Sequence, residues 1–164
     1  MQIQFRAATE KDFADICGLI GDEDELFLVY PPGRFPFSVE QLSQIALVRK
    51  ELTVAVDGPR IVGFANFYNY EASVSAFLGN VVVSRDNRRQ GVGKQLVAYM
   101  LSVAFGRLGL ERLHLSVFNH NLPALQLYAG FGFKPYDLEE RRDPRGRTAV
   151  LLHFRLDRDN YVVR

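Results

Sequence analysis

Thirteen residues, Ser84 to Leu96 (SRDNRRQGVGKQL), place two glycines and four cations where an apolar run, Val81-Val82-Val83, gives way to a long apolar-periodic segment. Cations beside backbone that carries no Cβ suit an anion. Glycine lets a phosphate come within hydrogen-bond distance of peptide N–H groups, and a helix start adds a favourable field. A nucleotide P-loop would need glycine where Arg88 stands and Ser or Thr where Gln95 stands. A dinucleotide fingerprint would need a third glycine where Leu96 stands. Both fail. What remains is Arg88-x-x-Gly91-x-Gly93. Here the amides of Arg89, Gln90, Gly91, Val92, Gly93 and Lys94 can converge on one anion, with Arg85, Arg88, Arg89 and Lys94 supplying charge. The plainer alternative is a solvated basic loop whose glycines serve only the turn.

One strand further on stands a second constellation, Asn121-x-x-Ala124-x-x-Leu127-Tyr128, followed by Gly132-Phe133. With the glycine loop and the Val81–Val83 run, it resembles the GCN5-related N-acetyltransferase (GNAT) family. The likeness in element order runs from Ile3 to about Leu156. The segments DELFLVYP, PFS and GFANFY further resemble one bacterial branch of that family. The resemblance implies a single-domain α/β fold with a mixed, mostly antiparallel sheet in which two parallel strands splay apart. Acetyl-CoA is the implied cosubstrate, its pantetheine arm lying between the strand ending in Val81, Val82 and Val83 and the strand containing Leu113 to Val117. Residues 89–94 would wrap the pyrophosphate, Asn121 would bond the arm, and Tyr128 would stand beside the sulfur. The implied activity is acetyl transfer to a primary amine, a lysine side chain or a small molecule. A non-catalytic CoA-binding sensor of the same fold is the alternative.

That chemistry needs an oxyanion site, an acid and a base. A strand amide freed by the splay near Val81–Val83 suits the oxyanion, and Tyr128 can protonate the departing thiolate. An amine of pKa about 10.4 is neutral only about once in 2,500 molecules at pH 7, so deprotonation is the harder step. Some family members place a glutamate five residues before the asparagine. Here Ser116 occupies that position, so either a proton passes through its hydroxyl and ordered water, or the rare neutral amine binds. For the acceptor, Asp24 and Glu25 can attract a cation, Phe27, Tyr30 and Phe35 can form an apolar wall, and Asn66, Tyr68 and Asn80 can line the sheet side. Loop acids are usually solvated and strand aromatics usually core, so this expectation attaches to the region.

Positioning these residues requires regular elements. Ile3 and Phe5 alternate as a first strand; Thr9 with Asp12 reads as a capping pair before a helix through Phe13, Ile16, Cys17 and Ile20. Residues 21–37, with three prolines, read as a loop. Ser38 with Gln41 caps a second helix. LTVAV, IVGFANFY and SAFLGNVVV read as a strand meander, followed by the helix after the glycine loop. Then come the strand RLHLSV, a helix capped by Asn121 with Pro123 in its first turn, and a final hairpin, FKPYDLEER and TAVLLHFRL. The expected order is β-α-α-β-β-β-α-β-α-β-β, with the domain at residues 1–156 and a tail at 157–164. The strand-helix-strand passage from Val83 to Val117 demands a parallel crossover.

The 164 residues, 48% hydrophobic and 12% aromatic, suffice for one core and argue against disorder. A net charge of +1 gives no global pull toward nucleic acid, and the cations gather at one loop. No apolar leader opens the chain, and its longest apolar stretch, 96–105, is short of a membrane span; a cytoplasmic setting is the expectation. The one cysteine, Cys17, reads as a small buried hydrophobe. His114, His120 and His153 lack partners at ligand spacing, so no metal is expected. Monomer and homodimer are both open.

Overall fold

Runs of β-branched and aromatic residues at period two build seven strands in one sheet, described here, like the rest of the fold, by a computed structural model covering residues 1–163. The strands are β1 (Ile3–Ala7), β2 (Lys50–Asp57), β3 (Arg60–Glu71), β4 (Ser75–Val83), β5 (Arg112–Phe118), β6 (Lys134–Arg142) and β7 (Thr148–Asp157). Their spatial order is β1-β2-β3-β4-β5-β7-β6. Among the described residues only the β4/β5 pair is parallel, as the crossover requires.

The helices are α1 (Phe13–Gly18), α2 (Glu23–Val29), α3 (Val39–Val48), α4 (Val92–Leu101) and α5 (Leu122–Gly130). A π-helical stretch, Ser102–Arg107, continues α4. Sheet alternation separates two cores. On one face Leu96, Val97, Met100 and Leu101 of α4 pack with Ala55, Ala65, Phe67, Leu113 and Leu115. On the other, Phe13, Ile16, Leu42 and Ile45 of α1 and α3 pack with Val54, Phe64 and Val82. Each fully buried leucine removes side-chain area from water worth about 1.5–3 kcal/mol, before the entropy of ordering it.

Local signals set the helix starts. The Thr9 amide donates to Asp12 at 2.7 Å, and Arg6 holds both Asp12 oxygens at 2.7 and 2.9 Å. Ser38 accepts from the Gln41 amide at 3.3 Å and Asn121 from the Ala124 amide at 3.4 Å. One expectation is corrected. Residues 21–37 are not a continuous loop, because α2 occupies Glu23–Val29, and three helices, not two, precede β2. Its physical reason is a cap: the Asp22 carboxylate accepts from the Glu25 amide at 2.8 Å, while Leu26 and Phe27 are buried. The prolines lie beyond its end and leave it intact. At the other terminus β7 runs to Asp157, and Tyr161 packs on Phe105 with ring centroids 5.0 Å apart.

Candidate active site

Pairing between β4 and β5 runs from Ser75↔Arg112 to Leu78↔Leu115 and stops there. Beyond that point β4 continues to Val83 against β3, and β5 continues to Phe118 against β7. The two strands therefore part after Leu78 and Leu115, and peptide groups of residues 79–83 that alternate toward β5 face a gap instead of a ladder. The parting coincides with a bulge. Asn66 lies opposite Gly79 and Phe64 opposite Val82, so β4 has one residue extra, and Asn80 takes a left-handed φ of 51°. Asn80 is held there by buried hydrogen bonds. It accepts from Asn66 Nδ2 at 2.8 Å and donates to the Val29 carbonyl at 3.0 Å.

The glycine loop sits at the end of β4. Arg89 and Gly91 both take left-handed conformations, φ 59° and 83°. For a residue with a side chain such as Arg89 this costs about 1–2 kcal/mol. The turn leads into α4, whose first intrahelical bond is the Gln95 amide to the Gly91 carbonyl at 3.0 Å. The peptide N–H groups of residues 89 to 94 donate to no acceptor among the described residues. A Cβ built on Gly93 would touch Leu127 Cδ2 and Val83 Cγ2, each at 3.7 Å, so the tip of α4, the end of β4 and α5 converge here. Of the cations assigned to the phosphates, Arg88 has another engagement: it pairs with Glu25 at 2.8 Å and donates to the Val83 carbonyl at 3.1 Å. Arg89 and Lys94 are exposed.

On the α5 side, Asn121 uses its carbonyl oxygen to cap the helix, which leaves its NH2 toward open space. Tyr128 is buried, edge-on to Phe133 at 5.9 Å, and burial alone pushes its phenol well above the ordinary tyrosine value. A raised pKa opposes proton donation, but a thiolate desolvated in the same pocket becomes a stronger base for the same reason. The relative shift decides the transfer.

On the opposite face, Ser116 is the first β5 residue past the last paired position. Its hydroxyl lies 2.7 Å from His153 Nδ1 on β7, and His153 Nε2 lies 3.3 Å from Glu139 on β6. Burial would push the Glu139 carboxyl up; hydrogen bonds from Arg141 and His153 outweigh it and hold it below the usual range. Beside Ser116 stands Tyr68, whose phenol burial pushes up. Phe77 and His114 stack at 4.7 Å, and burial, then Arg112 and Arg155, lower the His114 pKa. His153, Glu139 and Arg49 were not among the sequence candidates. The signal available for His153 was its place in TAVLLHFRL, the one polar side chain within the apolar run Ala149–Phe154.

The acceptor candidates fall into different places. Tyr30 and Tyr68 flank Arg49, whose guanidinium carbon lies 5.7 and 4.4 Å from their ring centroids. Asn66 and Asn80 are part of the buried network that shapes the bulge. Phe27 is buried and stacked on Phe118 at 4.4 Å. Glu25 accepts from the Gly21 amide at 2.7 Å and pairs with Arg85 and Arg88, both at 2.8 Å. Asp22 also pairs with Arg85, and Asp24 pairs with Arg145 at 3.2 Å. These acids fasten α2 across the mouth of the gap, on one side to the loop after β4 and on the other to the β6–β7 turn. Cys17 is half-buried, and burial followed by Glu40 pushes its thiol up to about 11, which leaves almost no nucleophilic thiolate at neutral pH.

The sequence model of the Acetyltransferase (GNAT) family matches residues 21–133, a span that contains the glycine loop, the parted strands and α5. The chain belongs to this family. It is 38% identical over 58 residues to the uncharacterized N-acetyltransferase YobR of Bacillus subtilis (strain 168), an alignment covering 35% of this chain and 23% of that relative's length. Three solved structures share the fold over nearly the whole of both chains. A spermidine N-acetyltransferase SpeG chimera from Vibrio cholerae and hSSAT superposes with a TM-score of 0.82 at 20% identity, covering 100% of each chain. The ribosomal-protein-S18-alanine N-acetyltransferase from Escherichia coli gives 0.77 at 20%, covering 95% of this chain and 94% of its own. YncA from Salmonella typhimurium, solved with acetyl-CoA, gives 0.76 at 16%, covering 98% and 96%.

Proposed function

We propose that the protein transfers an acetyl group from acetyl-CoA to a primary amine by direct attack. The observation that carries this reading is the row of unpartnered peptide N–H groups at 89–94, beside a strand pair that parts where a pantetheine arm would enter. Acetyl-CoA supplies a thioester whose carbonyl carbon is open to an amine and whose sulfur leaves as a thiolate. The amides of residues 89–94 and the exposed Arg89 and Lys94 hold the diphosphate. Asn121 Nδ2 steadies the arm. A β4 amide in the 81–83 segment, turned to the gap by the bulge at Asn80, holds the charge that develops on the carbonyl oxygen. Tyr128 returns a proton to sulfur.

For the amine's own proton, Ser116 passes it to His153 Nδ1 at 2.7 Å. Glu139 favours the tautomer with hydrogen on Nε2, which leaves Nδ1 free to accept, and it stabilises the imidazolium that results. Ser116 thus links to a base carried by the sheet itself, where the sequence offered only water.

Release of free thiol from acetyl-CoA across a panel of primary amines tests the activity. Turnover that depends on the amine supports it. Tight CoA binding with no turnover from any amine would make the chain a CoA-binding sensor instead.

A further inference from the structure

Among the described residues only two arginines, Arg49 and Arg112, are not exposed. Arg112 pairs with Asp157 at 2.6 Å. Arg49 has no carboxylate partner among the described residues. A guanidinium cannot shed its charge, so one drawn partly out of water calls for an anion. Its surroundings are a bracket of neutral groups. Nη1 donates to Asn66 at 3.0 Å, the Tyr68 ring lies 4.4 Å from the guanidinium carbon, and the Tyr30 ring lies 5.7 Å away on the other element. The tip rests over Gly79, where a Cβ would stand 2.5 Å from Nη1, so this absence of a side chain is what lets the cation lie at the point where β4 and β5 part.

Bonding of Nη1 to Asn66 leaves the Nε–Nη2 edge without an acceptor. No buried side-chain nitrogen or oxygen lacks a partner among the described residues, so this free edge opens to accessible space. Its two parallel N–H bonds match the two oxygens of a carboxylate. The acids nearest the gap, Asp22, Asp24 and Glu25, are all paired with arginines and so are not free to draw a purely cationic acceptor. The far edge of Tyr68, the ring under Arg49, meets Ser116, where the amine loses its proton in the reading above.

We infer that the acceptor is a small amine that also bears a carboxylate, an amino acid, with its carboxylate on the Nε–Nη2 edge of Arg49 and its amine beside Ser116. This rests on the acetyl-transfer reading and narrows it to a substrate class: polyamines and simple alkylamines lack the anion, and a protein lysine does not carry its carboxylate beside the amine.

The test is thiol release from acetyl-CoA with a series of amino acids, each matched to its carboxamide and its decarboxylated amine, in wild type, Arg49→Gln and Arg49→Lys. The expected result is kcat/KM at least about 100-fold higher for one or more acids than for their matched amides. Arg49→Gln should abolish that preference, chiefly through KM, so that each acid and its matched amide turn over alike; Arg49→Lys should restore part of it. Should Arg49→Gln fail to fold by circular dichroism, the wild-type ratio of acid to amide decides alone. Equal turnover of acids and amides overturns the carboxylate site and leaves acetyl transfer standing. No thiol release from any compound overturns both.

Discussion

At the scale of single residues, the proposed mechanism divides proton handling between two sides of the sheet. Tyr128 lies with α4 and α5, and Ser116 with His153 lies on the face crossed by α2. Tyr128→Phe keeps the ring against Phe133 and removes only the hydroxyl. Turnover is expected to fall by about 10²–10⁴ with acetyl-CoA affinity unchanged, measured by steady-state rates beside calorimetry. Ser116→Ala and His153→Gln should each lower kcat by about 10²–10³, and the double variant should be no worse than the poorer single, because both act on one proton path. Additive losses would separate them. A different residue governs acid stability. Hydrogen bonds from Arg6 hold the Asp12 carboxyl well below the usual carboxylate range. A depressed folded value means stability that is full above pH about 4 and lost as pH falls toward the folded value. Arg6 is about half exposed, so solvent screens the pair. Asp12→Asn should therefore cost about 1 kcal/mol at pH 7 by urea unfolding, with the gap to wild type closing below pH 4.

At the scale of elements, two pieces define the site: the tip of α4 and the strap α2. Gly91 needs its left-handed φ, so a side chain there would strain the turn whatever it did to a ligand. Gly93 separates the two effects, since its Cβ would meet ordinary contacts at 3.7 Å. Gly93→Val is expected to fold normally by circular dichroism and to lose acetyl-CoA affinity about 10²-fold, by blocking backbone approach to the diphosphate. The sequence made α4 and its loop legible because glycine, proline and cation positions carry meaning locally. It hid α2 for an equally local reason: Pro31, Pro32 and Pro36 drew the segment toward a loop, although Asp22 and Glu25 stand at capping distance just before Leu26 and Phe27. The acids at 24 and 25 read as open to a cation because their partners, Arg85, Arg88 and Arg145, lie about 60 to 120 residues away. Ion pairs across such separations leave no trace in spacing. The same is true of the Ser116–His153–Glu139 chain, which exists only once β7 is set between β5 and β6.

At the scale of the molecule, the three-strand meander, the parallel pair and the closing hairpin follow from periodicity and from the crossover rule and are legible in the sequence; the insertion of β7 between β5 and β6 is not. The gap itself is a property of two strands held apart by different neighbours, β3 on one side and β7 on the other, with Phe27 on Phe118 bridging its mouth. A ligand seated there ties both halves of the sheet together. Acetyl-CoA at 100 times its dissociation constant should stabilise the fold by about 2.7 kcal/mol and raise Tm by about 5–10 °C in a thermal scan. The most direct test follows backbone amide resonances during a titration with acetyl-CoA. The amides of residues 89 to 94 should show the largest shifts and saturate together at one equivalent. Saturable binding that moved other amides while those six stayed still would contradict that expectation.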